Sequence, residues 1–157
     1  MIKKIIAFLI VSASLNATVF DYRLNYGSAT SEDDYILSYT GCVYNYFKDS
    51  DFALGAQGEI TPLEFSANTS YLTSVALLGA YDFTRTLHGE INAGASVMFS
   101  ESSYYTGYHV GGVFLIQTNL DTYMESLQFG ISVSYDAFDE ELIENEFQSQ
   151  LFVGFGF

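Results

Sequence analysis

The 157-residue sequence contains no tryptophan, one proline, one cysteine and only five basic residues. With a single cysteine, Cys42, the chain cannot form an internal disulfide, so an exported form must be stabilised by other means. The 19 acidic residues bring the net charge to −14. This excess of carboxylates argues against a nucleic-acid-binding protein, because such recognition depends on basic patches.

The N-terminal apolar run, residues 5–11, is too short to cross a bilayer as a helix, which takes about 20 residues. Lys3 and Lys4 precede it, and the small residues Ser12, Ala13 and Ser14 follow it, ahead of Leu15-Asn16-Ala17. This order is typical of a cleavable secretory signal peptide. We expect cleavage after Ala17, with cleavage after Ala13 as the alternative. The chain then divides into a signal peptide, residues 1–17, and one mature domain, residues 18–157. Without Lys3 and Lys4 the mature chain has three basic and 19 acidic residues, a net charge of −16.

The mature chain is rich in tyrosine and phenylalanine, which favour strands, and its apolar residues alternate with a period of two. The alternation predicts eight strands of 9 to 14 residues, at 19–27, 35–46, 51–60, 70–83, 87–99, 105–117, 123–136 and 146–157. Short turns at 47–50, 84–86 and 118–122 alternate with longer connections at 28–34, 61–69, 100–104 and 137–145. This asymmetry is typical of a transmembrane barrel, and it puts Pro62 in a loop.

The two faces of the predicted strands differ in polarity. In the fifth strand, one face carries Ile91, Ala93, Ala95, Val97 and Phe99, and the other carries His88, Glu90, Asn92, Gly94 and Ser96. A soluble barrel would present long charged side chains to water. The polar face here consists mainly of small and amide side chains, which suit a crowded interior. The sequence therefore predicts an all-β, eight-stranded antiparallel up-and-down transmembrane barrel with a polar lumen and an apolar outer wall.

The signal peptide, the eight amphipathic strands, the short turns near Lys48 and Arg85 and the ending QLFVGFGF resemble one family. It is the family of small OmpA/OmpX-type outer-membrane barrels of Gram-negative bacteria. The resemblance implies export through the inner membrane, insertion in the outer membrane, and contact with its lipid and lipopolysaccharide. It also implies that Gln150, Phe155 and Phe157 form a signal read by the outer-membrane assembly machinery. Phe152 occupies the position where that signal usually has a glycine.

Simple hairpin pairing predicts which polar side chains meet in the lumen. We expect Arg23 to form an ion pair with Glu59 across the lumen. His88 is expected opposite Asp82, with Glu90 two residues further along the same face. The polar lumen cluster also includes Asp21 and His109, and we expect Cys42 to face the lumen as a small filler.

His109 raises the possibility of acyl-transfer chemistry because serines are expected beside it. Its predicted neighbours are Ser96 or Gly94 on one side and Ser132 or Gly130 on the other. Nucleophilic catalysis also needs a group that orients the histidine, and no acidic residue is expected there. The sequence therefore indicates no catalytic residue, metal site or cofactor.

These features favour a monomeric, non-enzymatic outer-membrane protein with a structural or surface-interaction role and a side-chain-plugged lumen. A narrow porin-like channel that weakly prefers cations is the alternative, since Arg23 is the one clear lumen cation. A lipid A-modifying enzyme is the third possibility. The acidic stretches at 32–34 and 139–146 lack the spacing of a calcium loop, and we interpret them as solvated surface.

The C-terminal residue provides a first test. The last predicted strand must close against the first, with Gly154 and Gly156 leaving room for Arg23 and Asp21. Deleting Phe157 should reduce insertion into the outer membrane in cells more than it lowers the stability of the refolded barrel. Membrane fractionation and urea unfolding measure the two effects. Equal losses in both would contradict the assignment of Phe157 as an assembly signal.

Overall fold

The computed structural model describes residues 18–30, 35–65, 68–100, 103–119, 126–139 and 145–157. The predicted signal peptide lies outside these residues, as does the acidic stretch 32–34. The described residues form eight strands: β1 Thr18–Ala29, β2 Tyr35–Tyr46, β3 Phe52–Phe65, β4 Asn68–Asp82, β5 Leu87–Ser100, β6 Ser103–Asn119, β7 Ser126–Phe138 and β8 Glu146–Gly156. Each strand pairs antiparallel with the next, and β8 pairs with β1 to close the barrel. The predicted eight-stranded antiparallel barrel is confirmed.

The prediction of a loop at 61–69 is wrong. β3 continues to Phe65 and β4 begins at Asn68, so Pro62 lies inside a strand, level with Tyr71. The register of β3 with β2 ends at Ile60, and beyond it the described part of β3 pairs with β4. Proline is tolerated in such an edge segment because the missing N–H breaks no ladder on the open side.

The barrel has two distinct ends. The turn end contains both chain ends of the barrel, the turns around Lys48 and Arg85, and the connection from β6 to β7. The loop end contains the other four connections, and the described strands leave only two residues between β3 and β4 and two between β5 and β6. The turn before β3 is closed by a hydrogen bond from the Phe47 N–H to the Phe52 carbonyl (2.9 Å).

Burial is inverted relative to a water-soluble protein. Polar side chains on the inner face are buried, including Asp21 and His88 at 0 % exposure. Large apolar side chains on the outer face are exposed, with Ile91 at 73 % and Leu77 at 65 %. Exposed apolar residues and a closed polar interior are typical of a barrel surrounded by lipid. Within the described ranges, no helix is long and apolar enough to cross a membrane.

Apolar side chains also fill the lumen near both ends. The loop-end layer consists of Ala29, Ile36, Leu63, Leu72 and Met98, with Tyr105 and Phe138 packed against it. The turn-end layer consists of Cys42, Tyr44, Ala53, Leu78 and Ala80. Cys42 therefore faces the lumen, as expected from its parity. Polar side chains lie between the two layers and alongside the turn-end layer, where His88 and Asp82 form the last residue pair of β4 and β5.

The strand paths are tightly packed at inward-facing glycines. A Cβ added to Gly94 of β5 would lie 2.0 Å from the Val75 carbonyl oxygen of β4, and one added to Gly27 would lie 2.0 Å from the Ser149 carbonyl oxygen. Glycine is required at these points because the backbones of neighbouring strands come too close for any side chain.

The Gly94→Ala substitution should therefore destabilise the barrel by about 1–3 kcal/mol, the usual effect of forcing extra volume into a packed site. Gly58→Ala is the matched control, because its Cβ would meet the nearest heavy atom, the Ser74 carbonyl oxygen, at 3.9 Å. This control should change stability by no more than about 0.5 kcal/mol. Urea unfolding in lipid vesicles, followed by far-ultraviolet circular dichroism, measures both. Similar effects of the two substitutions would contradict the packing argument.

Candidate functional site: the polar lumen

The candidate site is the set of polar side chains that the strands turn inward. Successive residues of a strand point to opposite faces, so the even positions of some strands and the odd positions of others reach the lumen. The main buried members are Asp21, Arg23, Asn25, Ser38, Thr40, Gln57, Glu59, His88, Glu90, Asn92, His109, Gln128, Asp136, Gln148 and Gln150.

Arg23 is the centre of one group of contacts. Its Nη1 donates to Glu90 Oε2 at 2.6 Å, and its Nη2 bonds both Glu90 Oε1 and Asp21 Oδ2, the latter at 3.1 Å. The guanidinium also lies over the ring of Phe152, 5.1 Å from the ring centre. A bidentate contact between an arginine and a carboxylate is among the strongest polar contacts in proteins. Since Arg23 and Glu90 are both fully buried, each charge depends on the other for compensation.

The predicted ion pair between Arg23 and Glu59 is wrong. Glu59 Oε1 instead accepts hydrogen bonds from Ser38 Oγ (3.0 Å) and Thr61 Oγ1 (3.3 Å). Arg23 and Glu59 are both level with Thr40 in the hydrogen-bond ladder. Strands of a closed barrel are tilted, however, so residues level in the ladder two strands apart lie at different heights in the lumen.

Two glycines of β8 make room for this group. A Cβ on Gly154 would lie 2.9 Å from Arg23 Cγ, and one on Gly156 would lie 2.8 Å from Asp21 Oδ1. In the register, Gly154 is opposite Arg23 and Gly156 is opposite Asp21. The seam that closes the barrel is therefore also where the buried arginine is accommodated.

His88 extends the same group towards the turn end. Its Nε2 lies 3.1 Å from Glu90 Oε1, and its Nδ1 lies 2.5 Å from Asp82 Oδ1. Asp82 is level with His88 in the ladder, as the hairpin pairing predicted. Beside His88, with ring centres 5.9 Å apart, Tyr44 donates its hydroxyl to Asp21 Oδ2 at 2.9 Å. Arg23 Nε also donates to Gln128 Oε1 at 3.4 Å. We call this connected set the arginine network; it consists of Asp21, Arg23, Tyr44, Asp82, His88, Glu90 and Gln128.

His109 has an acidic partner that the sequence analysis missed. Its Nδ1 lies 2.9 Å from Asp136 Oδ1, and Asp136 faces it in the register. On β5 its neighbour is Gly94, one of the two expected residues. The expected neighbours on β7, Ser132 and Gly130, lie further along the strand. β6 extends to Asn119 and β7 begins only at Ser126, which shifts the pairing of these two strands.

A second group, the glutamate network, lies towards the loop end. Asn25 Nδ2 donates to Ser38 Oγ (3.0 Å) and to Thr40 Oγ1 (2.8 Å), and Ser38 Oγ is also 3.0 Å from Gln150 Oε1. Gln150 in turn donates to Gln148 Oε1 at 2.9 Å. The glutamate network consists of Asn25, Ser38, Thr40, Glu59, Thr61, Gln148 and Gln150.

The residues of the predicted assembly signal divide between the two faces of β8. Gln150 is buried in the lumen, whereas Phe155 and Phe157 lie on the outer wall at 37 % and 44 % exposure. The Phe157 N–H donates to the Phe20 carbonyl at 2.9 Å, and its ring meets Tyr22 edge to face. The last residue therefore extends the pairing of β8 with β1.

The lumen carries an excess of negative charge. Among the described inward-facing residues, one arginine and two histidines stand against the carboxylates of Asp21, Glu59, Asp82, Glu90, Asp136 and Glu146. Despite this excess, the described part of the chain holds no cluster of three or more histidine, cysteine or acidic residues arranged to bind a metal.

The cavity beside His109 is small. Its volume is about 10 Å³, and side chains of both networks line it. That volume is the space needed by a single water molecule. The arrangement fixes side chains in place and leaves no room there for a substrate.

Comparison with known proteins supports the fold. No protein-family model matches the sequence, and no curated protein sequence matches it. Among solved structures, the chain is similar to Neisserial surface protein A, with a TM-score of 0.64 and 14 % identity over 88 % of this chain and 94 % of the other. It is also similar to the N-terminal β-barrel domain of Pseudomonas aeruginosa OprF, with a TM-score of 0.55 and 19 % identity over 88 % and 97 %.

A third similar structure is Ail, the attachment invasion locus protein of Yersinia pestis, with a TM-score of 0.54 and 14 % identity over 89 % of this chain and 96 % of the other. The three matches share the architecture and nearly the whole length, at identities too low to carry over an activity. They show that the chain has the fold of the small eight-stranded outer-membrane barrels of the OmpA/OmpX type.

A double-mutant cycle tests the arginine contact. Arg23→Met should destabilise the barrel by about 3–5 kcal/mol, because it leaves the buried Glu90 carboxylate without its main partner. Combined with Glu90→Gln, it should show a coupling energy of about 0.5–3 kcal/mol.

The matched control for this cycle is Arg23→Met combined with Glu59→Gln, which should show weaker coupling than the Arg23–Glu90 cycle, because these two side chains line one cavity but form no ion pair with each other. Urea unfolding by circular dichroism measures both cycles, since the chain has no tryptophan for fluorescence. Stronger coupling of Arg23 to Glu59 than to Glu90 would contradict the observed contact.

Proposed function

We propose that the protein is an integral outer-membrane barrel with a non-enzymatic structural or surface-interaction role and a lumen sealed by its own side chains. The observation that carries this proposal is the inverted burial. Charged side chains are enclosed, while a continuous apolar wall is exposed. In water such a wall would aggregate, whereas in a bilayer it is matched by hydrocarbon.

The aromatic side chains support a membrane position and suggest its direction. Tyrosines dominate the outer wall at the loop end, namely Tyr26, Tyr35, Tyr39, Tyr71, Tyr104, Tyr108 and Tyr135. Phenylalanines are more frequent at the turn end, namely Phe20, Phe47, Phe52, Phe83, Phe155 and Phe157. Aromatic belts mark the two interfaces of a barrel with the membrane. We place the loop end at the cell surface because the longest connection between described strands, residues 139–145, lies there, and longer loops face outward in such barrels.

The charge distribution limits what the cell-surface end can bind. The mature chain has three basic residues, of which Arg23 is buried while Lys48 and Arg85 lie in exposed turns at the turn end. One structure of Ail is a complex with the heparin analogue sucrose octasulfate, a polyanion. An equivalent contact at the loop end of this chain would have no basic side chain to support it. We therefore propose a surface role that does not depend on binding polyanions.

Two features of the lumen argue against the channel alternative. The arginine network crosses the middle of the barrel, and the apolar layer of Ala29, Ile36, Leu63, Leu72 and Met98 closes the loop end. An ion would have to separate the Arg23–Glu90 contact and then pass the apolar layer, and apolar constrictions can block ions by excluding water.

The catalytic alternative gains an acidic partner for His109 but lacks access. His109 and Asp136 have the relative geometry of a base and its orienting carboxylate. Both are buried in the lumen, with His109 at 2 % exposure, and the adjacent cavity admits no lipid. A structural role for this pair fits these observations better than chemistry on a membrane lipid.

Conductance of the refolded protein in a planar bilayer tests the sealed lumen. The wild-type barrel should give no stepwise current. A variant that combines Arg23→Ser, Glu90→Ser and Leu63→Ala removes the central contact and part of the apolar layer, and it should conduct. Defined wild-type steps that prefer cations would support the channel alternative instead.

Labelling of engineered cysteines tests whether the barrel lies in the outer membrane and which of its ends faces the cell surface. In a Cys42→Ser background, Ser103→Cys at the loop end should react with a membrane-impermeant maleimide on intact Gram-negative cells. Ser50→Cys at the turn end should react only after the outer membrane is opened. Both original serines are exposed in the structure. Labelling of Ser50→Cys but not of Ser103→Cys on intact cells would reverse the proposed direction.

A further inference from the structure

The cavity between the two networks has polar atoms on its wall that lack a protein partner. His109 is 2 % exposed and Asn92 is 7 % exposed, and both line this cavity. His109 Nε2 and Asn92 Oδ1 are buried atoms with no hydrogen-bond partner among the described protein atoms. A buried polar atom left unsatisfied costs about 1–3 kcal/mol, so two of them at one cavity call for an explanation.

The other polar atoms of these two side chains are hydrogen-bonded to protein atoms. Asn92 Nδ2 donates to Gln57 Oε1 at 3.2 Å, which leaves its Oδ1 as the acceptor without a donor. His109 Nδ1 donates to Asp136, because a carboxylate can only accept, and this holds the imidazole with Nε2 unpaired. Neither side chain can therefore turn to satisfy its free atom without losing an existing hydrogen bond.

The glycine at position 111 brings the two side chains close to the same space. Gly111 is the next inward residue after His109 on β6, and it lies opposite Asn92 on β5. A Cβ on Gly111 would be 2.8 Å from Asn92 Oδ1, so the amide oxygen lies over the glycine. The missing side chain at this position makes room for the Asn92 amide, and Asn92 and His109 both line the cavity.

We propose that this cavity is a binding site for one internal water molecule, held by His109 Nε2 and Asn92 Oδ1. The volume of about 10 Å³ matches one water, and an internal water needs two to four polar partners. Water suits the site better than an ion because it can donate to Asn92 and either donate to or accept from His109. Arg23 and Glu59 both line the cavity, so its wall carries side chains of both charges and favours neither a cation nor an anion over a neutral water.

The water also joins two parts of the lumen. The cavity wall includes Arg23 of the arginine network and Asn25, Thr40 and Glu59 of the glutamate network. A water held by His109 Nε2 and Asn92 Oδ1 connects the His109–Asp136 pair to the Asn92–Gln57 pair, beside side chains of both networks.

Nuclear magnetic resonance of the labelled, refolded protein in lipid nanodiscs tests the site with water itself as the probe. A nuclear Overhauser effect from water to the ring protons of His109 is expected. His88 is the internal control, because it is equally buried but both its ring nitrogens lie beside protein carboxylates. His88 should show no such effect. No effect at His109, or equal effects at both histidines, would overturn the proposal.

A cavity-filling variant provides a second test of the water site. Val113→Leu adds a methylene at the cavity wall without removing a polar group, and it should abolish the water signal at His109. Val110→Leu, at an exposed position on the outer face of the same strand, should retain it. If Val113→Leu fails to fold, the comparison of the water signals at His109 and His88 in the wild type still tests whether the cavity holds water. A shift of the His109 ring signals on titration with Zn²⁺, with loss of the water signal, would overturn the assignment to water in favour of a metal.

Discussion

The pairing of β1 with β8 is the contact on which the rest of the structure depends. A sheet in hydrocarbon cannot leave an unpaired edge, because every free N–H and C=O there costs several kcal/mol. Nine residue pairs, from Asp21↔Gly156 to Ala29↔Gln148, close this edge. The closing strand also carries Gly154 and Gly156 where β1 carries Arg23 and Asp21. The strand pairing that closes the barrel therefore also provides the space in which Arg23 is buried.

Closing eight strands leaves an interior just wide enough for side chains to fill. In this chain that interior is divided into apolar layers near the ends and hydrogen-bonded polar networks between them. The polar part is the more demanding, because a buried charge or amide is tolerated only when it is paired. Arg23 with Glu90, and His109 with Asp136, satisfy this requirement inside the lumen. The interior is thus filled and hydrogen-bonded by its own side chains, which supports a structural role for the lumen and leaves surface interactions to the outer wall and the loops.

The sequence predicted the structure correctly wherever the outcome depended only on which face of a strand a residue occupies. The inward positions of Cys42, His88 and His109 follow from parity alone, and so does the pairing of His88 with Asp82 across a tight hairpin. The prediction that Pro62 lies in a loop was wrong because proline is also tolerated in a strand segment that has lost one neighbour. Such a segment begins where β2 stops pairing with β3, and the sequence around Pro62 does not show that point. The acidic partner of His109 was missed because the register of β6 with β7 depends on a connection whose length local alternation does not specify.

By itself the sequence determined the number of strands, the face on which each side chain lies and the apolar character of the outer wall. These properties follow from a period of two residues along a single strand, which is a local rule. Only the tertiary structure decided that Arg23 meets Glu90 and not Glu59, and that a cavity remains beside His109. Both depend on strand tilt and stagger, which are properties of the closed barrel as a whole and relate residues far apart in the chain.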